Sequence, residues 1–165
     1  YMKLEVINEK HNLDNFSCEI ETIDKYLKSR ALNDNKQLLS KTYVVTEKGN
    51  VIAFCTLILH SLRDAEKEFF IDKDKCKEQR VPALLIGQIG VDKNFKGHGI
   101  GASLIKKMIE DAITINKYVH FPVIIIDAHK ETLVSYYEEK GFTRFKDKGL
   151  RLFLPIADIL KTCNN

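Results

Sequence analysis

The stretch Ile89-Gly90-Val91-Asp92-Lys93-Asn94-Phe95-Lys96-Gly97-His98-Gly99-Ile100-Gly101-Ala102-Ser103 constrains the fold more than any other part of this sequence. Residues Ala83 to Val91, which lead into it, are almost uninterruptedly apolar, as a strand covered on both faces requires. A short basic turn and three alternate glycines follow. Ile100, Leu104, Ile105, Met108, Ala112 and Ile115 then keep the spacing of a long helix. A buried strand feeding a helix in this way belongs to a mixed α/β architecture. Glycine permits backbone conformations and close approach that a side chain blocks. A helix start offers N–H groups without intrahelical partners and a partial positive charge, a setting that favours phosphate or pyrophosphate. Lys96 adds a full charge beside it. A Walker loop is excluded because the Gly-Lys-Ser/Thr ending is missing. A dinucleotide fingerprint is excluded because a single residue separates the second glycine from the third. Taken alone, the glycines also allow a plain tight turn.

The remaining segments agree with that architecture. Lys3 to Asn8 reads as a short first strand. Ile20, Ile23, Tyr26, Leu27, Ala31 and Leu38 keep roughly helical spacing and predict one or two amphipathic helices broken near Asn33-Asp34-Asn35. Thr42–Thr46 and Val51–Leu59, joined by Lys48-Gly49-Asn50, read as a β-hairpin. Residues 61–80 hold twelve charges, six of each sign, and read as a solvated insertion. Val123–Ile126 is a second buried strand. Leu133, Tyr136 and Tyr137 mark another helix, which Gly141 is placed to end. Phe142–Phe145 and Leu150–Leu154 read as closing strands.

The 165 residues, 44% apolar, amount to one domain with a real core, and residues 2–165 are expected to form it. A net charge of +3 neither demands nor excludes nucleic acid, so any basic footprint is local. Two stretches each carry a net +4: Lys25, Lys28, Arg30, Lys36, Lys41 and Lys48 against Asp34 and Glu47, and Lys140, Arg144, Lys146, Lys148 and Arg151 against Asp147. Both read equally well as solvated surface and as a hold on an RNA backbone. No apolar run approaches the roughly 18 residues of a membrane span. Charge at Lys3 and Glu5 comes too early for a signal peptide, so a cytoplasmic protein without membrane contact is expected. Cys18, Cys55, Cys76 and Cys163 form no C-x-x-C pair and accompany no H-E-x-x-H spacing, so reduced thiols and no metal site are expected. His60, His98, His120 and His129 are read as structural or solvent-facing rather than catalytic.

With its surroundings, the glycine segment resembles the acetyl-CoA loop of the GNAT N-acetyltransferase superfamily. That pattern is Gln/Arg-x-x-Gly-x-Gly/Ala after an apolar strand. Lys96, Gly99 and Gly101 occupy it here, with lysine replacing the planar donor and Gly97 where glycine is frequent. The segment Tyr136-Tyr137-Glu138-Glu139-Lys140-Gly141-Phe142 is similar to a second landmark of the superfamily, a tyrosine four residues before Gly-Phe. Lys130 stands where an asparagine is common. Phe16-Ser17-Cys18, Ile23-Asp24-Lys25-Tyr26-Leu27, Leu39-Ser40-Lys41-Thr42-Tyr43-Val44 and Pro82-Ala83-Leu84-Leu85-Ile86 resemble one branch, the toxin-type enzymes that acetylate aminoacyl-tRNA.

The resemblance implies a mixed, mostly antiparallel central sheet flanked by helices, with a splayed parallel strand pair, and acetyl-CoA as donor. It implies that backbone groups of Ile89 and Val91 line the pantetheine and acetyl end. Lys96, Gly97, His98, Gly99, Ile100, Gly101 and Ala102 are implied at the pyrophosphate. Tyr137 is implied as the acid that protonates the leaving thiolate; spacing alone would leave it a core aromatic. Many members carry a glutamate on the central strand as base, whereas Gly87-Gln88-Ile89-Gly90 holds no carboxylate. An α-amine, with a reference pKa of about 7.7–8.0 against about 10.4 for lysine, needs less help to lose its proton. Three readings stand: a toxin-like enzyme acting on aminoacyl-tRNA, with an antitoxin partner and room for a homodimer; an ordinary GNAT enzyme acting on a small amine or protein terminus; and a non-catalytic acyl-CoA-binding module.

Overall fold

The structure is a computed structural model that describes residues 3–147 and 149–164. Its seven strands are β1 (Leu4–Val6), β2 (Lys41–Glu47), β3 (Asn50–Ser61), β4 (Pro82–Val91), β5 (Val123–Asp127), β6 (Thr143–Arg144) and β7 (Arg151–Pro155). They form a sheet in the order β1-β2-β3-β4-β5-β7-β6, mostly antiparallel with one parallel pair. Helices α1 (Glu21–Tyr26), α2 (Leu32–Lys36), α3 (Asp64–Lys67), α4 (Ile100–Asn116), α5 (Glu131–Glu139) and α6 (Ile156–Cys163) lie in the connections and after β7. The chain divides into two compact units, residues 1–58 with 86–110, and residues 59–85 with 111–165.

In the first unit, Ile23, Leu27 and Ala31 recur every fourth residue and are buried with Phe16, Cys18, Val44, Val51 and Phe54. The break expected at Asn33–Asn35 does not occur. Instead Leu27–Ala31 wind as a π-turn between α1 and α2, and the helical path continues to Lys36. It ends where Leu38 takes a φ of 60°, with the Leu38 and Leu39 amides returning to the Asn35 and Asp34 carbonyls. Between β2 and β3, Lys48 and Gly49 both have positive φ, as a two-residue hairpin turn requires.

Strand β4 lies unusually close to its neighbours. A Cβ on Gly90 would stand 3.1 Å from both Ile23 Cγ2 and Phe54 Cε1 and 3.3 Å from Cys18 Sγ. A Cβ on Gly87 would meet Ile58 Cδ1 at 2.9 Å and Thr56 Oγ1 at 3.2 Å. Phe54, Thr56 and Ile58 alternate along β3 and so share one face. Two residues three apart, Gly87 and Gly90, therefore both turn toward that face, which requires an extra residue between them, a bulge around Gln88 and Ile89. Gly90→Val is expected to overpack this contact and lower stability by about 1–3 kcal/mol; chemical denaturation giving the parental midpoint would contradict it.

In the second unit, residues 61–80 are not simply a solvated insertion. Glu66 and Lys67 are buried, and Phe69 and Phe70 stand 5.2 and 5.9 Å from the Phe153 ring. Phe145 completes the cluster at 4.5 Å from Phe153. Arg151 forks onto Asp127, opposite it in the β5–β7 register, at 2.8 and 3.1 Å. Its Nη1 donates to His60 Nε2 at 3.1 Å and lies 3.5 Å from Glu66 Oε2. Arg151, counted above with a basic surface cluster, is thus spent on internal carboxylates. Burial first, and Arg151 second, push the His60 imidazole below its ordinary range. Helix α6 had no counterpart in the sequence reading. Among the described residues, no helix is long and apolar enough to cross a membrane.

Candidate active site

The glycine segment folds as a strand end, a turn and a helix start. Asp92, almost fully buried, organises the turn. Its carboxylate accepts the Ser17 amide at 3.0 Å and the Asn94 amide at 2.9 Å, while its carbonyl accepts the Phe95 amide at 2.9 Å. The Lys93 amide donates to the Ser17 carbonyl at 2.8 Å. Asp24, in α1, holds the other side of that segment by accepting the Cys18 amide at 2.8 Å and the Ser17 hydroxyl at 3.2 Å. The sequence reading missed Asp92 and Asp24, because carboxylates at a strand end and in a first helical turn carry no distinguishing spacing.

Gly97 and Gly99 have φ of 81° and 77°, in the left-handed region that side chains disfavour. A Cβ on either would meet nothing within 4 Å, so the space above them is open. The Gly99 carbonyl accepts the Ser103 amide at 3.0 Å and opens α4. The amides of Ile100, Gly101 and Ala102 therefore precede the first intrahelical bond. Ile89, Val91, Ile100, Gly101 and Ala102 are half-buried, and Lys96, Gly97, His98 and Gly99 are exposed. Amides without intrahelical partners at the start of a 17-residue helix, with open space over two left-handed glycines, fit a pyrophosphate.

Lys96 is arranged differently from the expected phosphate ligand. Its ammonium donates to the Cys18 carbonyl and to Glu19 Oε2, both at 2.9 Å. Glu19 itself has a φ of 66°. The buried Cys18 thiol is pushed up to about 11, mainly by desolvation, and stays protonated at neutral pH.

Tyr137 lies on α5 with 3% of its surface exposed. Its ring meets Tyr136 edge-on at 5.5 Å and Phe142 at 6.4 Å. Gly141, with a φ of 97°, ends the helix, and the Phe142 amide returns to the Tyr137 carbonyl at 3.2 Å. Burial, with a smaller effect of Tyr136, raises the phenol well above its ordinary pKa, so Tyr137 is a neutral O–H donor at any physiological pH.

Several residues of the two basic stretches are engaged. Lys36 pairs with Glu9, Arg30 with Asp34 at 3.3 Å, and Lys28 donates to the Asp14 carbonyl at 3.1 Å. Arg144 grips Glu131 at 2.6 and 3.0 Å and so holds that carboxyl below its usual range. Lys41 and Lys146 lie over the Tyr43 and Phe69 rings. Lys148 lies outside the described residues.

The chain matches the acetyltransferase (GNAT) domain over residues 39–144 and belongs to that family. It is an acetyltransferase with acetyl-CoA as its donor. It is 28% identical over 159 residues to a probable toxin TacT of Sinorhizobium fredii, covering 91% of this chain and 88% of that one. It is 24% identical over 152 residues to a tRNA-acetylating toxin of Mycobacterium tuberculosis, covering 92% and 90%. The fold is shared with the toxin AtaT solved in complex with acetyl-methionyl-tRNAfMet, at a TM-score of 0.83, 19% identity and 99% coverage of both chains.

Proposed function

We propose that this enzyme acetylates the α-amine of aminoacyl-tRNA in the cytoplasm and so stops translation, as a toxin restrained by an antitoxin partner. The observation that carries this reading is the match, along 92% of the chain, to a relative named for acetylating tRNA. Residues 2–165 act as one catalytic domain. Backbone groups of Ile89 and Val91 hold the pantetheine arm, and the amides from Gly97 to Ala102 hold the pyrophosphate. Lys96 braces the turn rather than gripping phosphate, in keeping with its bonds to Cys18 and Glu19. Acetyl-CoA supplies the thioester. The neutral amine forms a C–N bond at the carbonyl as the C–S bond breaks; Tyr137 gives its proton to the sulfur, and the amine proton passes through water to restore the phenol.

Acetyl transfer to charged tRNA, with free amino acids, polyamines and peptides as competitors, tests this reading directly. Lys41→Glu and Lys146→Glu avoid the carboxylate pairs that Lys36 and Arg144 serve. Each is expected to raise KM for charged tRNA and to flatten its salt dependence by roughly one unit of log–log slope for every phosphate the side chain no longer neutralises. Binding of acetyl-CoA is expected to be unchanged. Turnover of a polyamine without transfer to charged tRNA at low salt would remove the proposal.

A further inference from the structure

Among the described residues, two buried side-chain polar atoms have no hydrogen-bond partner, Thr42 Oγ1 and Gln88 Oε1. They belong to different strands of the sheet. Thr42 of β2 faces Thr56 of β3 in register, and the Thr56 hydroxyl accepts the Gln88 amide of β4 at 2.8 Å. Thr42 and Thr56 are fully buried. The Thr56 bond fixes the main chain of β4 at the bulge, one residue before Ile89. Proteins seldom leave a buried carbonyl oxygen unbonded, because desolvation then goes uncompensated. The main chain is tied down here, because the Gln88 backbone amide is committed to the Thr56 hydroxyl.

A carboxamide oxygen only accepts, so what completes it must donate an N–H or O–H. A single neutral oxygen suits an amine rather than a metal ion, which takes several oxygen ligands. We propose that Gln88 positions the amine to be acetylated, its Oε1 accepting one N–H of that amine. This rests on the α-amine acceptor proposed above. A neutral acceptor oxygen fits the chemistry. It orients the nitrogen without the charge that would hold it as an unreactive ammonium, as a carboxylate would.

The test compares the parent, Gln88→Met and Gln88→Glu. Transfer by the parent to charged tRNA is measured first and judges the acceptor reading separately. Should the parent prefer another amine, the variants are compared on that amine. Gln88→Met keeps the length and loses the oxygen. It is expected to raise acceptor KM about tenfold or more, the usual loss for a hydrogen bond to a group that is charged in one state. Acetyl-CoA affinity by calorimetry and the melting temperature are expected to hold or rise, since an unbonded buried oxygen is gone. Affinity for a non-reactive aminoacyl-adenosine amide is expected to fall in parallel with the rise in KM. Gln88→Glu is expected to recover that affinity and to move the acid limb of kcat/KM to higher pH, because the carboxylate favours the ammonium form. Parental acceptor KM and analogue affinity in Gln88→Met would overturn the proposal and leave Gln88 an internally hydrated group. A parallel loss of acetyl-CoA affinity would overturn it too, in favour of packing.

Discussion

Tyr137→Phe is expected to lower kcat by about 10²–10⁴, the range for removing a positioned general acid. The substitution deletes one hydroxyl from a side chain that is 3% exposed and packed against Tyr136 and Phe142, so its volume and ring contacts survive. Helix α5 keeps its terminus, because the bond from the Phe142 amide to the residue 137 carbonyl is main-chain. CoA affinity and the melting temperature therefore stay near the parental values. The raised phenol pKa adds a second signature. The Tyr137 hydroxyl does not titrate near neutrality, so as the proposed acid it gives the parental activity no descending limb at pH 8–9, and the variant gains none. Single-turnover kinetics and calorimetry on the two proteins decide the matter; parental turnover in the variant would make Tyr137 a core aromatic.

Gly99→Val is expected to weaken acetyl-CoA binding by at least about 100-fold. Gly99 has a φ of 77°, a region that costs an ordinary residue about 1–2 kcal/mol and a β-branched one more. The valine meets no protein atom, since nothing lies within 4 Å of its Cβ position, so the domain still folds. The added methyls instead occupy the open space in front of the α4 amides, where the pyrophosphate is proposed to sit. Gly99→Ala separates the two effects by keeping most of the strain and adding little bulk. Calorimetry showing parental affinity in Gly99→Val would remove the phosphate role of this turn.

What the sequence made legible was the part governed by local rules. The apolar run into β4, the glycines before α4 and the Gly141 stop after α5 each follow from backbone geometry within a few residues, and each stands where expected. The helix over residues 21–36 departs from the expectation at its polar last turn. Asn33-Asp34-Asn35 looks like a break, yet Asp34 takes Arg30 one turn earlier, and Leu38 ends the helix in a conformation that glycine would normally supply. The charged insertion hid its anchors, Phe69 and Phe70, because their partners Phe145 and Phe153 are some 75–85 residues away. Distance in sequence also concealed that Arg151, Arg144 and Lys36 have carboxylate partners, so counting charges overstated both basic stretches. The bulge at Gln88 rests on Thr56 and Ile58 of another strand, which no pattern within Gly87-Gln88-Ile89 announces.

The turn that precedes α4 is riveted to the segment that precedes α1. Asp92 and Lys93 hold Ser17, and Lys96 holds Cys18 and Glu19, all at 2.8–3.0 Å. Two stretches some 75 residues apart in sequence thus share one set of bonds, and neither can move without the other. With the donor on this turn, as proposed above, whatever grips or displaces α1 changes the enzyme's hold on it, and the donor changes the hold on α1 by the same factor, since linkage is reciprocal. An inhibitor therefore has no need to compete for the glycines. A ligand that pries Glu19 from Lys96 would loosen the donor's seat from outside, and saturating acetyl-CoA would resist it.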